Sequence, residues 1–293
     1  MLLIRSFGDV MTALRERLTT AIARTGEYRG GLPPVTGELR TGLGARELAD
    51  ASGDFTEFPT ASPTGRTETI RAAPESTYVP GRDLSGTMDV SDIRSRISGD
   101  PESLTDPALG EICRLQGYDR TPLLTDAQGV DSVVAAGGRE FFRGVTDPRF
   151  AEEFKSGPYF PGRASWGIAS GNGTYVTTAR EVAQGYADGD PAGVIRMALR
   201  PDARITHYDA LAGEHADWVS RMSDEYEQLE AMGKTPGVAA RLQELDDQWW
   251  INEDIGRFAA SRGYDAYDTG RGYPGGGDRH WVVLNRSALV VER

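Results

Sequence analysis

Near the start of the chain, apolar positions recur at helical spacing. Met11, Leu14, Leu18, Ala21 and Ile22 fall on one face, with Arg15, Glu16 and Arg17 on the other. The spacing predicts an amphipathic helix over about residues 8–23, inside an N-terminal segment 1–25. Such a helix is marginal alone in water, so its apolar stripe must pack on the main domain, on a second copy or on a partner. From about residue 26 to residue 90 the periodicity fades. Strings such as EYRGGLPPVTGEL and FPTASPTGRTETIRAAPESTYVPG hold too few large apolar residues to offset the entropy of ordering them. This stretch is expected to be a flexible linker with a short helix at about 45–51, or an extended arm lying on another protein.

From about residue 91 to 293 the punctuation is that of a packed domain. Asp106-Pro107, then Leu109, Ile112, Cys113 and Leu115, then Gly117 spell an N-cap, a proline in the first turn and a terminating glycine. Asp147-Pro148 with Phe150, Phe154 and Gly157 repeats that pattern. Thr178 and Glu181 have the form of a capping box, opening a helix to about Ala187. A longer helical region is expected over 211–245, interrupted at 233–237, and another over 246–262, stopped by Gly263. Strand-like runs fall at 140–145, 173–177, 193–199, 264–267, 281–285 and 288–291. Strands and helices interleave without a regular βαβ repeat, so the expected fold class is α+β.

Composition narrows the function classes. The chain is 39% hydrophobic, enough for a core, but its 36 Gly and 16 Pro are unevenly spread, as the linker requires. A formal charge of −12 repels phosphate backbones and no basic patch offsets it, so nucleic acid is not an expected partner. No run approaches the roughly 18 apolar residues of a membrane span. The charges from Arg5 to Arg17 interrupt the start before a signal-peptide core can form. A cytoplasmic protein without a membrane partner is expected. The single cysteine, Cys113, excludes an intrachain disulfide and reads as a small buried side chain. His207, His215 and His280 are not at metal-ligand spacings, so no metal is expected. Trp249, Trp250, Ile251 and Phe258 read as the core face of a helix. Neither a G-x-S-x-G nucleophile turn nor a phosphate loop ending in Gly-Lys-Ser/Thr is present.

Two strings carry chemistry. In FFRGV, strand alternation sends Phe142 and Arg143 to opposite sides. A guanidinium in so apolar a string needs a partner: a diphosphate, a ligand carboxylate or a structural salt bridge. Gly144 lets a ligand approach the backbone. In GIASGNGTYVTTAREVAQGYA, the loop Gly171-Asn172-Gly173 leads into Thr174, Tyr175, Val176 and Thr177 and then a helix. Hydroxyls at the strand end suit ribose or phosphate, and Tyr175 offers a flat face for an aromatic ring. Tyr186 is placed to cover the same ring from the helix; packing alone also accounts for both tyrosines.

The two strings in this order, followed by WVVLNRSALVV, resemble the ADP-ribosyltransferase superfamily. YFPGRASWGIASGNGTYVTT, LGEICRLQGYDRTP, VIRMALRPDARI and GYDAYD are similar to members encoded by bacteriophages. The similarity covers about residues 104–293. It implies a split β-sandwich with NAD, as substrate, in its cleft. Arg143, Gly144, Gly173, Thr174, Tyr175, Thr177, Thr178 and Tyr186 are then the expected NAD-binding residues. It further implies a host protein as acceptor, in the host cytoplasm, and a virion or self-association partner for the first helix. The chain departs from the family in one respect: the expected glutamate before Trp281 is His280. Asp278 precedes it on the same side if the strand extends that far, and Asp278 and His280, with Arg143 and Tyr175, are the candidate catalytic residues. A solvated loop explains Asp278 equally well, and Glu253 is another candidate carboxylate. Loss of the glutamate is compatible with weak transfer, with NAD hydrolysis, or with an inactive virion or assembly protein of the same fold.

Overall fold

A computed structural model describes residues 78–97, 105–162, 170–233, 235–272 and 279–293. The helices expected at 8–23 and 45–51, and Asp278, lie outside the described residues. The strands are β1 (Leu123–Thr125), β2 (Arg139–Gly144), β3 (Thr174–Thr177) and β4 (Val194–Leu199). They continue with β5 (Ile205–His207), β6 (Ala266–Asp268), β7 (His280–Val283) and β8 (Leu289–Glu292). The helices are α1 (Val90–Arg96), α2 (Pro107–Gln116), α3 (Ala127–Ala135) and α4 (Pro148–Ser156). They are followed by α5 (Arg180–Tyr186), α6 (Tyr208–Ala231), α7 (Pro236–Asn252) and α8 (Ile255–Ser261).

The eight strands form one mixed sheet, in the order β1-β8-β4-β2-β3-β7-β6-β5. Only the edge pairs β1/β8 and β5/β6 are parallel; all inner pairs are antiparallel. Helices thus interrupt an essentially antiparallel sheet, and the fold class is α+β. The sheet has a seam. β2 pairs with β4 over its whole length, but with β3 through Phe142 and Thr177 alone. Across this seam the two halves are not coplanar. Trp281 is level in register with Val176, yet its ring centre lies 5.3 Å from that of Phe141, the two planes tilted by 46°, and the Arg139 guanidinium lies 4.5 Å above it. The face carrying Phe141, Ile195, Met197, Val176, Val283 and Trp281 therefore closes on itself around one core, with Ala151 of α4 packed into it. The opposite face is covered by helices. There α2 and α8 pack on Tyr267 and Val282, and Val130 of α3 packs on Ala198 and Val290.

Local chemistry explains most element ends. Asp106 accepts hydrogen bonds from the Ala108 and Leu109 amides at 2.9 and 3.1 Å, and Gly117, with φ 79°, stops α2. Leu109, Ile112 and Cys113 are fully buried, so the expected apolar stripe is the buried one. Two expected boundaries move. The helix after β3 starts at Arg180 without a side-chain cap, because the Thr178 hydroxyl instead accepts from the Arg279 amide at 2.8 Å. And α7 runs unbroken through 246 to Asn252; the break falls where Asp254 caps α8.

The packed domain begins upstream of residue 91. Residues 78–90, expected as the end of the linker, lie on the domain with Leu84, Met88 and Val90 buried in its core. Val79 is held twice: its amide donates to Ser287 Oγ at 3.1 Å, and its carbonyl accepts from Asn285 Nδ2 at 2.9 Å. Tyr78 donates to the buried Asp265 carboxylate at 2.8 Å. Three apolar side chains scattered among polar residues, together with backbone and tyrosine hydrogen bonds that no hydropathy pattern registers, hold this segment, so it is not linker.

Candidate functional site

Register places Phe142, Thr177 and His280 in one row across β2, β3 and β7, with Tyr175 beside Val282 in the next. Paired residues point the same way and alternate residues share a face, so Tyr175, Thr177 and His280 lie together on the helix-covered face. Gly144 belongs to that face as well. It has no side chain because α5 crosses it: a Cβ there would meet the Ala183 carbonyl oxygen at 1.9 Å and the Tyr186 Cβ at 2.8 Å. Tyr186 stands at the end of α5 and is 59% exposed. On its outer side α5 lines an open depression of about 370 Å³ with Glu181, Val182, Gly185 and Tyr186, among the described residues.

Arg143 lies on the other side. Its register partner is Ile195, part of the enclosed core, so its side chain leaves the sheet opposite to Tyr175. The guanidinium nevertheless reaches the seam, where Nη1 donates to the Tyr175 carbonyl at 2.8 Å. No carboxylate within ion-pair distance balances it among the described residues, and burial pulls its pKa down. Among the described residues Arg143, with five N–H donors, has this one protein acceptor, and its planar fork suits an anion. Next to it stands Tyr159. Its hydroxyl is 3.1 Å from Thr174 Oγ1, and burial raises its pKa.

Tyr175 is partly buried. Its hydroxyl donates to the Gly171 carbonyl at 2.6 Å. Burial first, and then the nearby Asp254 carboxylate, push the phenol up to about 12, so it stays protonated at neutral pH. Gly171 takes φ 98°, which an L side chain rarely adopts, and a Cβ there would sit 2.3 Å from Ile255 Cγ2. The Thr177 hydroxyl accepts from the Ala179 amide at 3.2 Å and keeps its own proton to donate. Gly173 and Thr174 are buried at the start of β3, away from the exposed end of α5.

Gly144, Tyr175, Thr177, Tyr186 and His280 therefore share one face, Arg143 meets them through the backbone of β3, and Thr178 is tied to Arg279. The other candidate carboxylate, Glu253, is half-exposed in the α7–α8 turn, paired with Arg257 at 3.2 Å. Two residues that the sequence pattern did not single out are drawn in. Tyr159 sits in the string YFPG, where it resembles any loop tyrosine. Asp254 precedes Ile255-Gly256, an N-cap signal hidden inside an expected helix. Neither a protein-family model, nor a curated protein, nor a solved structure matches the chain. The chemistry of these residues is what points to a function.

Proposed function

We propose that this chain binds NAD along β3 and transfers its ADP-ribose to a protein acceptor, with release of nicotinamide. The observation that carries the reading is the gathering of Gly144, Tyr175, Thr177, Tyr186 and His280, from four elements, on one face of the sheet. The seam between β2 and β3, with both halves closing on one core, supports a split β-sandwich within the α+β class. In this reading Tyr175 and Tyr186 flank the nicotinamide ring, and Gly144 lets α5, which carries Tyr186, lie close on β2. Arg143 supplies positive charge to the diphosphate, and Thr177 donates to a ribose hydroxyl. The nicotinamide–ribose bond breaks through an oxocarbenium-like state, nicotinamide leaves with the bonding pair, and the acceptor nucleophile attacks the same carbon. A ring nitrogen of His280 accepts a hydrogen bond from the ribose. The resemblance to bacteriophage members makes a host cytoplasmic protein the proposed acceptor.

Incubation with labelled NAD and bacterial lysate tests the reading. Label transfer and nicotinamide release are expected from the wild type. Both should be lost in Arg143→Met, which keeps the apolar stem and removes the charge that lies on the Tyr175 carbonyl. No transfer and no nicotinamide release from a folded wild type overturns the proposal. His280 in place of the glutamate favours a second reading, a virion-associated or assembly protein that keeps this fold without the chemistry. Calorimetry separates the two: that protein, its cleft collapsed, takes up no NAD.

A further inference from the structure

The loop before β3 is clamped by two carboxylates, and the clamp ends on Tyr175. Both Asp254 oxygens lie 3.1 Å from the Asn172 amide, while Asp254 Oδ1 also accepts from the Gly256 and Arg257 amides at 2.9 and 3.0 Å. The Asn172 side chain donates to Asp106 Oδ2 at 2.6 Å, so the α2 cap grips the same residue from the other side. Arg257 Nε lies 3.1 Å from that oxygen, an ion pair whose alignment falls short of a hydrogen bond. Contact between the loop and α8 is glycine on backbone. A Cβ on Gly256 would stand 1.9 Å from the Asn172 carbonyl oxygen, and one on Gly171 would stand 2.6 Å from the Gly256 amide nitrogen. The two carbonyls of this loop each hold a phenol: Gly171 accepts from Tyr175 at 2.6 Å and Ser170 accepts from Tyr267 at 2.5 Å.

The geometry points to Asp254 as a positioning residue that sets the orientation of the Tyr175 ring. This inference rests on the proposed NAD reading only for what the ring is used for. A helix cap needs the bonds to Gly256 and Arg257; it has no need of the bond to Asn172, a residue 82 positions away in sequence. That bond fixes the Gly171 carbonyl, and the carbonyl fixes the Tyr175 hydroxyl. A tyrosine held at its far end presents its face without the entropy loss of ordering it at binding. The ring is thereby pre-set rather than adaptable.

The test uses the full chain with ¹³C-labelled tyrosine and NAD as probe, the Tyr175 signal being assigned by its loss in Tyr175→Phe. Asp254→Ala is expected to move the Tyr175 signal and to weaken NAD binding about tenfold, the scale of ordering one side chain at binding. Asp254→Asn keeps Oδ1 as acceptor for all three amides and should restore most of both effects. Asp126→Ala, which removes only the α3 cap, should lower stability and leave the signal and the affinity unchanged. Should Asp254→Ala fail to fold, Tyr175→Phe breaks the same chain from the other end and must weaken NAD binding comparably. An unmoved Tyr175 signal in folded Asp254→Ala overturns the inference, as does full NAD affinity in Tyr175→Phe. A wild type that does not bind NAD defeats the functional reading alone, because the tyrosine signal still reports on the clamp.

Discussion

A methyl group at position 144 would lie 1.9 Å from the Ala183 carbonyl oxygen, a backbone atom that moves only if α5 moves. Gly144→Ala must therefore lift α5 from β2 or bend β2 away, an overpacking that costs about 1–3 kcal/mol. Because Tyr186 rides on α5, NAD affinity should fall with it. Gly185, on the same helix, is the matched control, since a Cβ added there would meet nothing within 4 Å. Gly185→Ala should raise stability by about 0.5–1 kcal/mol through helix propensity and the unfolded chain's lost freedom. Urea titration of both variants decides the matter. Equal effects would mean that the contact between α5 and β2 yields easily.

Among the helices, the same residue type at the same position carries different weights. Asp126 caps α3 at the surface through the Gly129 amide, and Asp126→Ala should cost about 1 kcal/mol. Asp106 caps α2 but is 3% exposed, accepts from Asn172 Nδ2 and faces Arg257. Its loss leaves the buried Asn172 side chain without its acceptor and removes one of the two carboxylates at Arg257, so Asp106→Ala should cost more, about 2–3 kcal/mol in the same measurement. From sequence the two caps look alike; burial separates them. This is the general limit of what the chain discloses. Helices with a proline start and a glycine stop, and strands of apolar residues such as β2, β4 and β7, were legible because their signals are local. The short edge strands β1 and β5 were not, since three residues paired to distant partners leave no periodicity. In the site, Tyr175, Tyr186 and Gly144 were legible from spacing. That Arg143 leaves the sheet on the opposite side, and that Asp254 governs the glycine loop, depend on pairings known only once the sheet is assembled.

For the domain as a unit, the segment 78–90 is a structural component. Leu84, Met88 and Val90 each bury a side chain worth about 1.5–3 kcal/mol, together comparable to the whole stability of about 5–15 kcal/mol. A chain starting at Ser91 should show no cooperative unfolding transition, and one starting at Pro74 should retain it; calorimetry reads both. The anchor of this segment also titrates. Burial raises Asp265 above its ordinary value of 3.8, ahead of the lowering by Asn285, Arg204 and Tyr78. Between the two values the folded chain binds more protons than the unfolded one, so this group's contribution is fully present below 3.8 and is lost as pH rises through the raised value. Asp265→Asn removes the dependence, so wild type minus variant stability should decline with rising pH; a flat difference counts against the assignment. The seam has a mechanical meaning at this scale. Among the described residues one residue pair, Phe142 with Thr177, and the Arg143 bond stitch β2 to β3, while full ladders run on either side. The domain is built as two laddered halves that meet along one thinly bonded line, and β3, where NAD is proposed to lie, is the strand that borders it.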